Sequence, residues 1–155
     1  MKTMIKSPTE CSVSELDTFE RMVNEGGEVS PVGLRSRIEK AEKLIFIWKG
    51  ENCVAIAGVK NPARTYKKKV FVAACTVDNI SEYQYEIGYI YANISGVGNQ
   101  LMEGVLDAIE GNTAFATTKN SKDVMQYLLP KYGFSKLGNS YLNDTKKYYL
   151  GLFGN

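Results

Sequence analysis

Apolar positions recur at two spacings along this chain, and the switches between them mark its elements. From Cys11 to Gly27, the residues Val13, Leu16, Phe19, Met22 and Val23 fall three or four apart, which is the spacing of one helix face. Ser12 or Ser14 supplies a cap there, and Gly26-Gly27 a stop. Leu34, Ile38 and Ala41 repeat the helical spacing in a second, more exposed segment, and a short strand over Thr3 to Lys6 precedes both.

The middle of the chain changes to strand composition. Leu44 to Lys49, a turn at Gly50-Glu51-Asn52, and Cys53 to Lys60 predict a hairpin that Pro62 ends. Lys68 to Val77 (KKVFVAACTV) predicts a further strand, and Tyr83 to Ala92 (YQYEIGYIYA) a long one. With period two, Tyr83, Tyr85, Ile87, Tyr89 and Tyr91 share one face of that strand, and Gln84, Glu86, Gly88, Ile90 and Ala92 the other. From Gly96 the period returns to a helix, with Val97, Leu101, Val105 and Ala108 in its stripe and Gly111-Asn112 at its end. A strand (TAFATT), a helix (SKDVMQYLL) ended near Pro130, and two closing strands (GFSKLGNSYL and KKYYLGLF) complete the chain. The pattern is a mixed α/β sheet with helices on its faces, in one domain over 1–155.

Charge adds little to this picture. Nineteen basic and 17 acidic residues intermix to a net +2, which argues against a dedicated nucleic-acid or membrane-surface protein. The local exception, RTYKKK over Arg64 to Lys69, reads as a solvated turn or strand edge. Three widely spaced cysteines read as free thiols in a reducing compartment. The first ten residues lack a signal-peptide core, and no apolar run is long enough to span a bilayer, so a cytoplasmic protein is expected. The absence of histidine is more informative. It excludes His-dependent acid–base work, Ser-His-Asp and Cys-His triads, and His-containing metal sites, so no metal is expected.

The candidate chemistry lies in ISGVGNQLMEG, three glycines at the mouth of a helix. A glycine loop entering a helix offers backbone N–H groups and the positive end of the helix dipole to a phosphate. The dinucleotide fingerprint fails because its third glycine is Leu101, and a P-loop fails for want of Gly-Lys-Ser/Thr. A tight turn without a ligand is the plain alternative.

A strand carrying Glu86-Ile87-Gly88-Tyr89, a G-x-G turn into an amphipathic helix, a strand, a second helix and a YGF strand start follow in that order. This arrangement resembles the GNAT superfamily of N-acetyltransferases, whose Q/R-x-x-G-x-G/A turn cradles the pyrophosphate of acetyl-coenzyme A. NISGVG fills that turn here, with Gly96 and Gly98 in place and Asn93 where the family prefers Arg or Gln. The stretch before the turn is shorter than usual for the family. The resemblance implies a mostly antiparallel sheet of six to seven strands with about four flanking helices. It also implies transfer of an acetyl group from acetyl-CoA to a primary amine on a small molecule, a peptide or an aminoacyl-tRNA. It is compatible with a homodimer.

Site residues follow from the same resemblance. The backbone N–H groups of Ile90 and Ala92 would hold the pantetheine arm and polarise the thioester carbonyl. Those of Ser95, Gly96, Val97, Gly98, Asn99 and Gln100 would take the pyrophosphate, and Asn120 would touch the pantetheine. Glu86 matches the general base of histone-acetylating members, with Gly88 leaving space beside it; pairing with a cross-strand lysine is the alternative. The family's acid tyrosine falls at Leu129 here, four residues before Gly133. Tyr132 is therefore the first acid candidate, against core packing with Met125 and Leu128, and Tyr141 the second. A degenerate GNAT domain that senses acyl-CoA or serves as an interaction module is the rival function.

Overall fold

The computed structural model describes all residues, Met1–Asn155. Its strands are β1 (Lys2–Lys6), β2 (Lys43–Lys49), β3 (Asn52–Lys60), β4 (Tyr85–Ala92), β5 (Ala114–Lys119), β6 (Ser135–Leu142) and β7 (Tyr149–Gly154). The helices are α1 (Val13–Gly26), α2 (Leu34–Glu39), α3 (Arg64–Ala73), α4 (Gly98–Ile109) and α5 (Asp123–Lys131), with short 3-10 turns at Pro8–Glu10 and Val77–Glu82. The sheet order is β1-β2-β3-β4-β5-β7-β6. It is mostly antiparallel, with β4 and β5 parallel. No helix is long and apolar enough to cross a membrane.

Contacts group the chain into two compact units, Met1–Asn61 with Ile87–Gly111, and Pro62–Glu86 with Asn112–Asn155. Strand β4 contributes to both, ending the second unit at Glu86 and entering the first at Ile87.

In the first unit, α1 starts at a capping box. Glu15 N–H donates to Ser12 Oγ at 3.1 Å, and Ser12 N–H donates to Glu15 Oε1 at 2.9 Å, which satisfies two otherwise orphaned donors. Its stripe buries Phe19, Met22 and Val23 against Leu34 and Ile38 of α2 and Leu44, Phe46 and Ile56 of the sheet. Phe19 meets the edges of Phe46 and Tyr89 at ring distances of 5.5 and 5.7 Å, the T-shaped geometry that aromatic quadrupoles favour. The other side of β2 receives α4, where a Cβ on Gly104 would lie 3.0 Å from Ile45. The hairpin turns tightly, with Lys49 opposite Asn52.

In the second unit, the expected strand over Lys68 to Val77 is instead helix α3 followed by a 3-10 turn. The β-branched run Val70, Val72, Val77 suggests a strand, yet a strand would bury Val70 and Val72 together. The structure buries Val70, Phe71 and Ala74 and leaves Val72 52% exposed, a helical stripe that tertiary packing selects over local propensity. Phe71 packs on Tyr83 and Phe115 at ring distances of 5.9 and 5.2 Å. RTYKKK therefore opens a helix and is not a turn or strand edge. Its Lys67 ammonium donates to the Tyr83 carbonyl, and Lys69 pairs with Asp144 at 2.7 Å.

Strand β6 closes onto the end of α3. Gly138 has φ +59, and a Cβ there would fall 1.9 Å from the Ala74 carbonyl oxygen, which accepts the Asn139 N–H at 2.8 Å. A side chain at this position meets both backbone strain and a fixed backbone atom. Gly138→Ala is expected to destabilise the protein by on the order of 2 kcal/mol, read as a lowered denaturant midpoint. An unchanged midpoint would show that the contact is not held in solution.

Candidate active site

In the first unit, Tyr89 adopts φ +56 inside β4, an uncommon left-handed backbone for a residue other than glycine. A Cβ on Gly88 would lie 2.8 Å from Lys60 Cδ, and the Lys60 ammonium also sits 4.7 Å from the Tyr89 ring centroid. Gly88 and Tyr89 thus both meet Lys60, and the space expected beside Gly88 holds the lysine stem.

Beyond β4 the Asn93 N–H donates to Val54 O at 3.0 Å, and the chain turns through Ile94, Ser95 and Gly96. Gly96 has φ +86 with nothing within 4 Å of a built Cβ, so the loop is open at that point. Val97 is buried and precedes the first residue of α4, Gly98. No side chain caps this helix, and its first turn carries no acidic residue. Its leading N–H groups lack intrahelical partners, as in any α-helix, so the positive end of a twelve-residue helix follows directly on the glycine loop. Ser95 and Asn99 are exposed, whereas the Gln100 amide is committed to β1, donating to Met1 O at 3.1 Å and Thr3 Oγ1 at 2.9 Å.

The second unit holds the carboxylate. Glu86 is only 5% exposed. It sits opposite Phe115 in the parallel pairing of β4 with β5, which covers Tyr85↔Ala114 and Glu86↔Phe115. The Tyr66 hydroxyl of α3 donates to Glu86 Oε2 at 2.7 Å. Tyr66 is 40% exposed as a residue, while its hydroxyl reaches the buried carboxylate. Burial first, then the Glu86 charge and the hydrogen bond to it, push the Tyr66 phenol far above its ordinary value; the Thr117 hydroxyl, bonded to the phenol oxygen, opposes this. Tyr141 of β6 is half-buried, and burial, followed by the charges of Glu86 and Asp144, pushes its phenol up to about 12.

Tyr132 caps the end of α5, half-buried, with the Lys131 ammonium 5.8 Å from its ring centroid. Leu129 is fully buried. Asn120 lies at the end of β5, where its amide donates to Ser140 Oγ at 3.0 Å and Lys136 Nζ reaches the same oxygen at 2.6 Å. Surface hollows on α1 around Arg21 and beside Trp48 contain none of these groups. Sequence reasoning missed Tyr66 and Thr117. The available signal was Tyr66 preceding Val70 and Ala74 at four-residue steps, hidden by reading the segment as a strand.

No protein-family model matches this sequence, and no curated protein matches it. Solved structures do. An acyl-CoA N-acyltransferase from Pseudomonas aeruginosa is similar with a TM-score of 0.73 at 17% identity, covering 100% of this chain and 99% of that one. The ribosomal-protein-S18-alanine N-acetyltransferase from Escherichia coli matches with a TM-score of 0.66 at 13% identity, over 99% of this chain and 92% of that one. A GNAT-family acetyltransferase from Bacillus cereus matches with a TM-score of 0.66 at 10% identity, over 100% and 97%.

The phenol shifts carry a direct test. A nearby negative charge favours a neutral phenol, so Glu86→Gln should bring the Tyr141 midpoint down from about 12 towards 10, leaving the part due to burial. Both raised phenols bind their protons more tightly folded than unfolded, so their stabilisation is complete below pH of about 10 and fades as pH rises through the folded values. NMR titration of tyrosines labelled at Cζ reads the midpoint, and alkaline unfolding should be less steep in the variant. A Tyr141 midpoint indifferent to Glu86→Gln would place the carboxylate elsewhere.

Proposed function

We propose that this chain, which has the GNAT N-acetyltransferase fold, moves an acetyl group from acetyl-CoA to a primary amine by direct attack in a ternary complex. The observation that carries the reading is the open, uncapped N-terminus of α4, reached through Gly96 from the strand that also bears Glu86. The N–H groups of Ser95, Gly96, Val97, Gly98, Asn99 and Gln100 take the pyrophosphate, with the Gln100 side chain excluded from that role by its bonds to β1. Those of Ile90 and Ala92 hold the pantetheine and the thioester carbonyl, and Asn120 reaches the pantetheine.

The chemistry sets the roles. An amine with a pKa near about 10.4 is protonated at neutral pH, so Glu86 removes a proton before the nitrogen lone pair attacks the thioester carbon. The oxyanion that forms is stabilised by the backbone donors. Its collapse breaks the C–S bond, and the thiolate takes a proton to leave as the free thiol. Tyr141, at about 12, is a poor source for that proton, because transfer to a thiolate of about 8.5 is uphill; Tyr66 is poorer still. We assign the donor to Tyr132, which takes back the proton that the acetylated nitrogen sheds.

The second reading is a CoA-binding module without turnover. The Lys60 stem beside Gly88 and the buried Leu129 favour it. Release of free thiol from acetyl-CoA across a panel of small amines, peptides and aminoacyl-tRNA separates the two. Under the transferase reading, Glu86→Gln keeps acetyl-CoA affinity and loses roughly a hundred- to ten-thousand-fold in turnover. The loss should shrink as pH rises, because more of the amine is then already neutral. A folded Glu86→Gln protein with wild-type turnover would remove Glu86 from the mechanism.

A further inference from the structure

A buried carboxylate that serves as a base has to be held in one orientation without being neutralised. The second unit contains a device for this. Tyr66 donates to Glu86 Oε2 at 2.7 Å, and that bond restrains the orientation of the carboxylate. The ring that delivers the phenol is carried by α3, itself fixed by Val70, Phe71 and Ala74 in the core with Tyr83 and Phe115.

We infer that Tyr66 is the positioning residue for the base: its hydrogen bond holds Glu86 aimed at the acceptor amine. The inference rests on the transferase reading. It gives α3 a task that the glycine loop and the strand do not supply. The raised phenol of Tyr66 fits a permanent donor and not a proton shuttle. Titratable groups facing Glu86 within its unit include Tyr66 from α3 and Tyr141 from β6, and Lys60 lies beside Gly88, two positions further along β4.

The test is Tyr66→Phe, which keeps the ring and removes only the hydroxyl. Expected are an unchanged KM for acetyl-CoA and a kcat lowered roughly ten- to a hundred-fold, the range found for groups that orient metal ligands. Adding Tyr66→Phe to Glu86→Gln should cost nothing further, since the phenol acts only through the carboxylate. Tyr127→Phe, an exposed phenol on α5, is the control expected to leave activity intact. Wild-type turnover in Tyr66→Phe, or the same loss in the Glu86→Gln background as in the wild type, overturns the assignment while leaving the transferase reading in place. A wild type that acetylates no amine overturns the transferase reading itself, and a role for Tyr66 in transfer falls with it.

Discussion

A carboxylate taken out of water costs several kcal/mol unless hydrogen bonds replace its hydration, and Glu86 is such a group. The second unit is arranged around satisfying it. Tyr66 reaches it only because the segment after Pro62 is helical; as a strand, that segment would not place a tyrosine, two core residues and Ala74 on one stripe. The helix is held in turn by the rings of Phe71, Tyr83 and Phe115 and by the close approach of Gly138 to Ala74. Packing, backbone permissiveness and a buried charge therefore constrain one another.

The first unit is organised around a second constraint, the backbone of β4 and its continuation. Tyr89 takes a left-handed backbone, and the Lys60 stem and ammonium pack against Gly88 and the Tyr89 ring. A few residues later Gly96 opens the chain ahead of an uncapped helix. One strand thus bears the buried Glu86 and leads through the glycine loop into α4.

Much of this was legible in the sequence. The α1 stripe, the tight hairpin of β2 and β3, the amphipathic α4 and the closing pair β6 and β7 obey simple periods, and the glycine loop and Glu86 stood out by residue type. The likeness to solved acetyltransferase structures supports the fold that the order of elements implied. What stayed hidden has a common physical origin. The helix α3 carries two valines just after a basic run, and local propensity favours a strand until the core decides. A non-glycine residue at positive φ leaves no mark in composition, so the left-handed Tyr89 and the filling beside Gly88 could not be foreseen. The pairing of Tyr66 with Glu86 spans twenty residues and exists only once α3 and β4 are both formed.

The central claim, that the open end of α4 receives a CoA thioester, is tested most directly by native mass spectrometry of the purified chain with added acetyl-CoA. The account predicts one acetyl-CoA per chain, displaced by an excess of free CoA. A chain that remains bare at about 1 mM acetyl-CoA, the upper end of ordinary enzyme KM values, would contradict it.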